Sequence, residues 1–350
     1  YFAGYDQAAW AKHFPEVAPH YFLLLPTQQR LALLFRVFPQ LIRRYNIDYA
    51  HFQYTTPFVK NCRFIVTTHD VLFNDFPGEF SAWYRGVRNL LFKRSLLQSD
   101  IRLTVSEYSR QAIAQHYRID PETIAISPNA VRPAFFAPYD KARAMRYIKQ
   151  KFNIENYILY TSRIEPRKNH EMLLQAYLQL QLSKWGLHLV FIGNDTLQHP
   201  LLEQQIESLR GPDRQQFHWL KNIDDQDLLA FYRAARVFTY PSKAEGFGIP
   251  PLEAAACGIP TLCSNSTAMK DFDFLEEWAF SPYDQERYEQ LLLKTLNHPP
   301  SKTRLQHISQ HVQQNYSWAT SAQRLHEEIN KQTSNQLISK KSAIPVVAEP

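Results

Sequence analysis

The feature that most restricts what this chain can become is an alternation. Short runs rich in β-branched and aromatic residues, Ile65–Thr68, Ile101–Val105, Tyr157–Thr161, Leu187–Ile192 and Val237–Tyr240, are separated by longer stretches with the apolar period of amphipathic helices. A strand, a helix and another strand make a parallel pair, because the crossover must be long enough to return over the sheet face. The pattern predicts an α/β fold. At 350 residues the chain exceeds one ordinary domain, so two such domains are expected.

Punctuation places the boundary. Pro128, Pro133 and Pro138 interrupt the pattern, and a polar helical stretch, Lys141–Phe152, precedes the strand at Tyr157. The expected organisation is a first domain over 1–135, a linker over 136–156, a second domain over 157–315, a terminal helix over 316–331 and a disordered tail over 332–350. Before Tyr21 no stretch reads as strand, glycine-rich loop and helix, so the first strand and loop of the first domain are expected to be missing.

Charge and composition narrow the function classes. Lys+Arg 39 against Asp+Glu 33 leaves a formal +6, which suits phosphorylated ligands or an anionic surface. Cys62, Cys257 and Cys263 have no Cys-x-x-Cys spacing, so reduced thiols in a cytoplasmic protein are expected. The longest apolar runs, Tyr21–Leu25 and Leu31–Phe35, are far too short to span a bilayer. Two basic, aromatic segments stand out in the first domain. Arg36, Arg43, Arg44, Arg85, Arg88, Lys93 and Arg94 lie among Phe35, Phe38, Trp83, Tyr84 and Phe92. This is either a core-facing stripe with a solvated basic face or an interfacial helix surface for anionic membranes.

Glycine is scarce, nine in 350 residues, yet Gly246, Gly248 and Gly258 fall close together. A strand ending at Tyr240 leads to Glu245-Gly246-Phe247-Gly248-Ile249, and Pro250 or Pro251 opens a helix. The backbone amides of such a loop and helix start form a phosphate site. Glu245 in the loop and Glu253 in the first turns of the helix offer one carboxylate to a sugar and one to a ribose. A second block, Ser162-Arg163-Ile-Glu165-Pro-Arg167-Lys168-Asn169-His170, sets three cations between a strand end and a helix start, where they can clamp a diphosphate.

Together the two blocks resemble the Glu-x7-Glu and Arg…Glu-x-Arg-Lys signatures of the retaining glycosyltransferases of family 4 (group 1). Weaker likenesses follow in the family's order: Val66-Thr-Thr-His69-Asp70, Thr104-Val-Ser106-Glu-Tyr-Ser109, Pro128-Asn129-Ala130, Trp219-Leu-Lys-Asn222-Ile223 and Tyr316-Ser-Trp318. The resemblance implies the GT-B fold, two facing Rossmann-like domains with a cleft between them. It implies transfer of a hexose, mannose in envelope polysaccharide synthesis being one such likeness, from a nucleotide diphosphate sugar to a saccharide or lipid-linked acceptor with retention of configuration. By the same resemblance Arg163 and Lys168 hold the donor diphosphate, Glu245 the donor sugar, Glu253 the ribose, and Asn222 and Ile223 sit near the base. His69 faces the reacting sugar, and the amides around Gly246, Phe247, Gly248 and Ile249 receive the developing charge.

Neither a metal nor another cofactor is expected, nor is nucleic acid. Asp225-Gln-Asp227 and Asp271-Phe-Asp273 match a metal-holding Asp-x-Asp pattern that recurs easily by chance, and neither follows a strand end. P-loop and dinucleotide fingerprints do not occur. The expected place is the cytoplasm, at the inner face of the plasma membrane where a lipid-linked acceptor resides. Two rival readings of the same motifs remain, a GT-B nucleotide-sugar isomerase and an inactive nucleotide-binding remnant.

Overall fold

Twelve strands and the helices between them are laid out in a computed structural model describing residues 1–194 and 199–342. Strands β3 (Tyr49–Gln53), β4 (Arg63–Thr67), β5 (Ile101–Thr104) and β6 (Ile124–Ile126) form a parallel sheet in sequential order. Strands β7 (Tyr157–Thr161), β8 (His188–Ile192), β9 (Phe217–Leu220), β10 (Val237–Tyr240), β11 (Thr261–Ser264) and β12 (Ala279–Phe280) form a second parallel sheet, ordered 12-11-10-7-8-9. The order reverses between β7 and β10, which pair through Val237 with Ile158 and Phe238 with Leu159. At such a switch point the connections leave toward opposite sides and open a crevice at the carboxyl ends of the strands.

The second sheet is buried on both faces. Its core contains six tyrosines among the largest fully buried side chains, and burial of a phenol is tolerated only if its hydroxyl finds a partner. Tyr157 donates to Phe231 O at 2.6 Å, Tyr177 to Leu187 O at 2.6 Å, Tyr232 to Glu253 at 2.9 Å and Tyr240 to Glu245 at 2.8 Å. Each such bond contributes about 1 kcal/mol net, and an orphaned hydroxyl would cost about 1–3 kcal/mol. All three cysteines are free thiols.

Three expectations are corrected. The stretch before Tyr21 does contain a strand and a helix: β1 (Phe2–Gly4) pairs in parallel with β2 (Phe22–Leu24), and the helix Gln7–His13 is capped by Asp6. Gly4 lies beneath Trp10, where a Cβ would meet the indole at 2.0 Å. A three-residue strand and a seven-residue helix are too short to show a period. The segment 136–156 is no open linker, because the helix Lys141–Phe152 and the turn after it bury Ile148 and Ile154 in the second core. The terminal helix runs Trp318–Ser342, well past Lys331, so a disordered tail does not begin at Gln332; 343–350 lie outside the described residues. No glycine or proline falls within it. Leu325 and Ile329 on this helix cover Ile65, Ile101 and Leu103 of the first sheet.

Candidate active site

The carboxyl ends of β7 and β10 each deliver one of the two motif blocks. After β7 the chain passes Arg163 and Glu165 into a tight turn, Pro166–Lys168, which Asn169 closes in the left-handed region at φ 57° before the helix His170–Gln179 begins. After β10 it passes Glu245 into the glycine loop, where Gly248 has φ +99° and a Cβ would press on Met269 and Phe272 at 3.3 Å. The helix Ile249–Ala256 follows with proline in its first turn. Opposite stand His69 and Asp70, just beyond β4. Between the walls lies a cavity of about 410 Å³.

Glu245 organises the second-domain wall. Its carboxylate accepts from Lys168 Nζ at 2.5 Å, Ser242 Oγ at 2.7 Å and the Tyr240 hydroxyl at 2.8 Å, with Arg167 Nη1 at 3.3 Å. Burial alone would raise its pKa, but Lys168 and Arg167 outweigh it and hold the carboxyl down at about 2. Arg167 also pairs with Glu165 at 2.7 Å and donates to Ala244 O at 2.8 Å. Lys168 is thus buried against Glu245, whereas the Arg163 side chain is 62% exposed at the rim, 3.4 Å from Glu165. Two acidic and three basic groups leave this wall net positive, suited to an anion.

The first-domain wall is more lightly built. His69 Nε2 meets the Gln53 amide oxygen at 2.5 Å, and burial, opposed only by Asp70, lowers its pKa, so the imidazole is neutral at pH 7. Asp70 accepts from Leu72 N at 3.2 Å, and burial raises its pKa against the pull of Arg167 and His69.

The structure brings Glu245, Arg163, Lys168, His69, Gly246, Phe247, Gly248 and Ile249 around one cavity. Glu253, Asn222 and Ile223 do not line it. Glu253 accepts from the Tyr232 hydroxyl at 2.9 Å, and burial raises its pKa. Asn222, at φ 54° beyond β9, exchanges side-chain and backbone hydrogen bonds with Asn194 at 3.1 Å. Sequence reasoning passed over Asp70 and Tyr54, which line the cavity, and gave Arg167 no separate role. Asp70 and Arg167 each adjoin a chosen residue, which was the available signal; Tyr54 had none.

Three of the four aspartates of the two pairs are engaged elsewhere. Asp227 is held by Lys151 and Tyr147 at 2.7 Å, Asp225 by Arg132 at 2.8 Å, and Asp271 accepts from Glu107 N at 3.2 Å. Among the described residues no group of three or more His, Cys, Asp or Glu is placed to hold a metal.

Residues 143–312 match the model of the glycosyl transferases group 1, and residues 2–135 match that of Glycosyltransferase Family 4, so together they account for most of the chain. The O-antigen chain mannosyltransferase B of Escherichia coli is 35% identical over 180 residues, covering 51% of this chain and 46% of that one. The serotype-specific mannosyltransferase WbdA of Escherichia coli is 28% identical over 228 residues, covering 64% of this chain and 28% of that one. The chain therefore spans less than half the length of these two curated relatives. Among solved structures, Anabaena Alr3699/HepE in complex with UDP superposes with TM-score 0.70 at 15% identity, covering 94% of this chain and 91% of that one, a likeness of fold.

Proposed function

Since the chain belongs to the group 1, family 4 glycosyltransferases and has their GT-B fold, we propose that it transfers a hexose, mannose by its relatives' names, from a nucleotide diphosphate sugar to a saccharide or lipid-linked saccharide in O-antigen synthesis, with retention of configuration. One observation carries the reading: Glu245, locked ionised by Lys168 and Arg167, sits below a glycine loop and helix start at the switch point of the second sheet, facing His69 across a cavity.

The costly event is departure of the nucleoside diphosphate, so stabilisation belongs where that charge develops. Arg163, Lys168 and the amides of Phe247 to Ile249 supply it without a metal ion. Lys168 shares its ammonium between Glu245 and the phosphates, and Glu245 accepts from donor-sugar hydroxyls. Glu253 reaches the ribose once the donor is bound, with Asn222 and Ile223 near the base. His69, neutral, faces the sugar from the first domain.

The acceptor is presented at an anionic membrane surface. Trp83, Leu90, Leu97 and Phe35 are exposed on the first domain at 78%, 72%, 57% and 53%, a large apolar display for a water-facing surface. Not all the basic residues are free to assist. Arg94 turns inward to Thr56 O and Pro57 O, Arg43 Nε donates to Pro39 O, and Arg88 and Arg44 lie over aromatic rings, which leaves Arg36, Arg85 and Lys93 as the better lipid contacts. Among the described residues no helix is long and apolar enough to cross a membrane.

Incubating the protein with GDP-mannose, UDP-glucose and saccharide or lipid-linked acceptors, in excess chelator, tests the reading. Glycoside of retained configuration is the expected product. An epimer would favour the isomerase, and nucleotide binding without turnover the inactive remnant.

A further inference from the structure

The carbonyl oxygen of Gly246, at the head of the glycine loop, is gripped from the other domain. Ser106 Oγ donates to it at 2.7 Å and Ser109 Oγ at 3.1 Å. Both serines are buried at the start of the helix Glu107–Tyr117, where Ser106 is also the N-cap, accepting from Ser109 N at 3.1 Å. On the other flank Asp70 fills the space beside the Gly246 α-carbon, where a Cβ would stand 2.6 Å from Asp70 Cβ. Only glycine permits that approach.

A trans peptide points its C=O and N–H in opposite directions, and no cis peptide occurs among the described residues. Fixing the Gly246 oxygen on Ser106 and Ser109 therefore also fixes the direction of the Phe247 N–H, which finds no protein acceptor among the described residues. Phe247 lines the cavity. An amide of the second domain is thus aimed by hydroxyls of the first.

We infer that Ser106 and Ser109 are positioning residues, which lock the Gly246–Phe247 peptide so that its N–H is offered to the donor pyrophosphate only while the two domains are together. The inference rests on the proposed function, since it assigns that amide an anionic partner. It makes the first domain part of the donor site without touching the donor, and ties anion stabilisation to closure.

Ser109→Ala is the cleaner variant, because alanine favours the helix and the hydroxyl's bond to Gly246 is lost. Ser106→Thr keeps both cap and hydroxyl, whereas Ser106→Ala removes both. On the full chain, thermal unfolding, calorimetry with GDP and UDP, and kcat and KM with the nucleotide sugar separate positioning from packing. Ser109→Ala should keep its Tm and lose about tenfold in kcat, as one hydrogen bond at a developing charge allows. The Ser106→Ala/Ser109→Ala double variant should lose more than either single one in kcat and in nucleoside diphosphate affinity, with acceptor KM unchanged, and Ser106→Thr should behave as wild type. Wild-type protein that binds nucleotide beside a double variant that binds and turns over equally well would overturn the inference alone. Wild-type protein that binds neither nucleotide would remove the proposed function and the inference together.

Discussion

The two walls of the cleft are built to different standards. On the second-domain side the buried charged groups are tied to several partners: Glu245 alone engages Lys168, Arg167, Tyr240 and Ser242, and the tyrosines behind it are fully buried. On the first-domain side, among the described residues, His69 has one side-chain hydrogen-bond partner, Gln53, beside a ring contact with Tyr54, and most of the exposed large apolar side chains lie before residue 98. A wall fixed in advance suits a constant ligand such as a diphosphate, whose stabilisation depends on dipoles that need no rearrangement. A wall held by few bonds can change its contacts without unfolding the domain. Under the proposed function, the contrast would put the common chemistry in the second domain and acceptor choice in the first.

The contrast breaks first at Glu245. Glu245→Ala leaves Lys168 and Arg167 buried beside an emptied site, and removing one partner of a buried pair costs about 3–5 kcal/mol. Denaturant unfolding should show a loss of that size; a loss below about 1 kcal/mol would mean the wall is not preorganised. Glu245→Gln sharpens the point through pH. Because the folded carboxyl sits at about 2, below its ordinary 4.5, the stability it contributes is full above that ordinary value and drains as the pH falls toward 2. Wild type should therefore lose more stability than Glu245→Gln between pH 6 and pH 3.

Next in size is Arg163→Ala. Its side chain is exposed, so stability should barely change, while turnover falls by about two orders of magnitude as a charge contact to the leaving group is lost. Saturating-donor kinetics check it, and unchanged kcat would remove Arg163 from the clamp. Tyr240→Phe should be milder, about 1 kcal/mol of stability for one hydroxyl, read by the same unfolding titration.

The smallest effect on the fold is expected on the other wall. Trp83→Ser with Leu90→Ser should shift stability by less than about 0.5 kcal/mol, as surface changes do. Flotation with anionic liposomes at low salt should nevertheless fall. Flotation equal to wild type would leave that surface without a lipid role.

What could be read in advance follows the same divide. The strands β7 and β10 stood out because buried parallel strands are continuous apolar runs, and the blocks after them because glycine is scarce and cations rarely cluster at a strand end. The small pair β1 and β2 and the edge strand β12 escaped, being three, three and two residues long, too short for a period to appear, and β3, β6, β9 and β11, three to five residues each, were not singled out either. The pairing of Lys168 with Glu245 also escaped, since contacts between residues 77 apart depend on which strands lie side by side. Ser106 was quoted only for its place in a motif; its contact with Gly246, 140 positions away, has no local signature.

The chain passes between its two domains twice, near Val131 and again near Tyr316, and the two passages are stitched together: Val131 N donates to Tyr316 O at 2.9 Å, and Ser321 Oγ to Pro128 O at 2.6 Å. A body joined to another by one strand can swing and twist in any direction. Joined by two strands bonded side by side, it keeps one easy rotation, about the line through both, and resists sliding and torsion. Opening and closing should therefore follow a single repeatable arc, like a door on a pinned frame, and that arc returns Asp70 to Gly246 in the same alignment on every cycle.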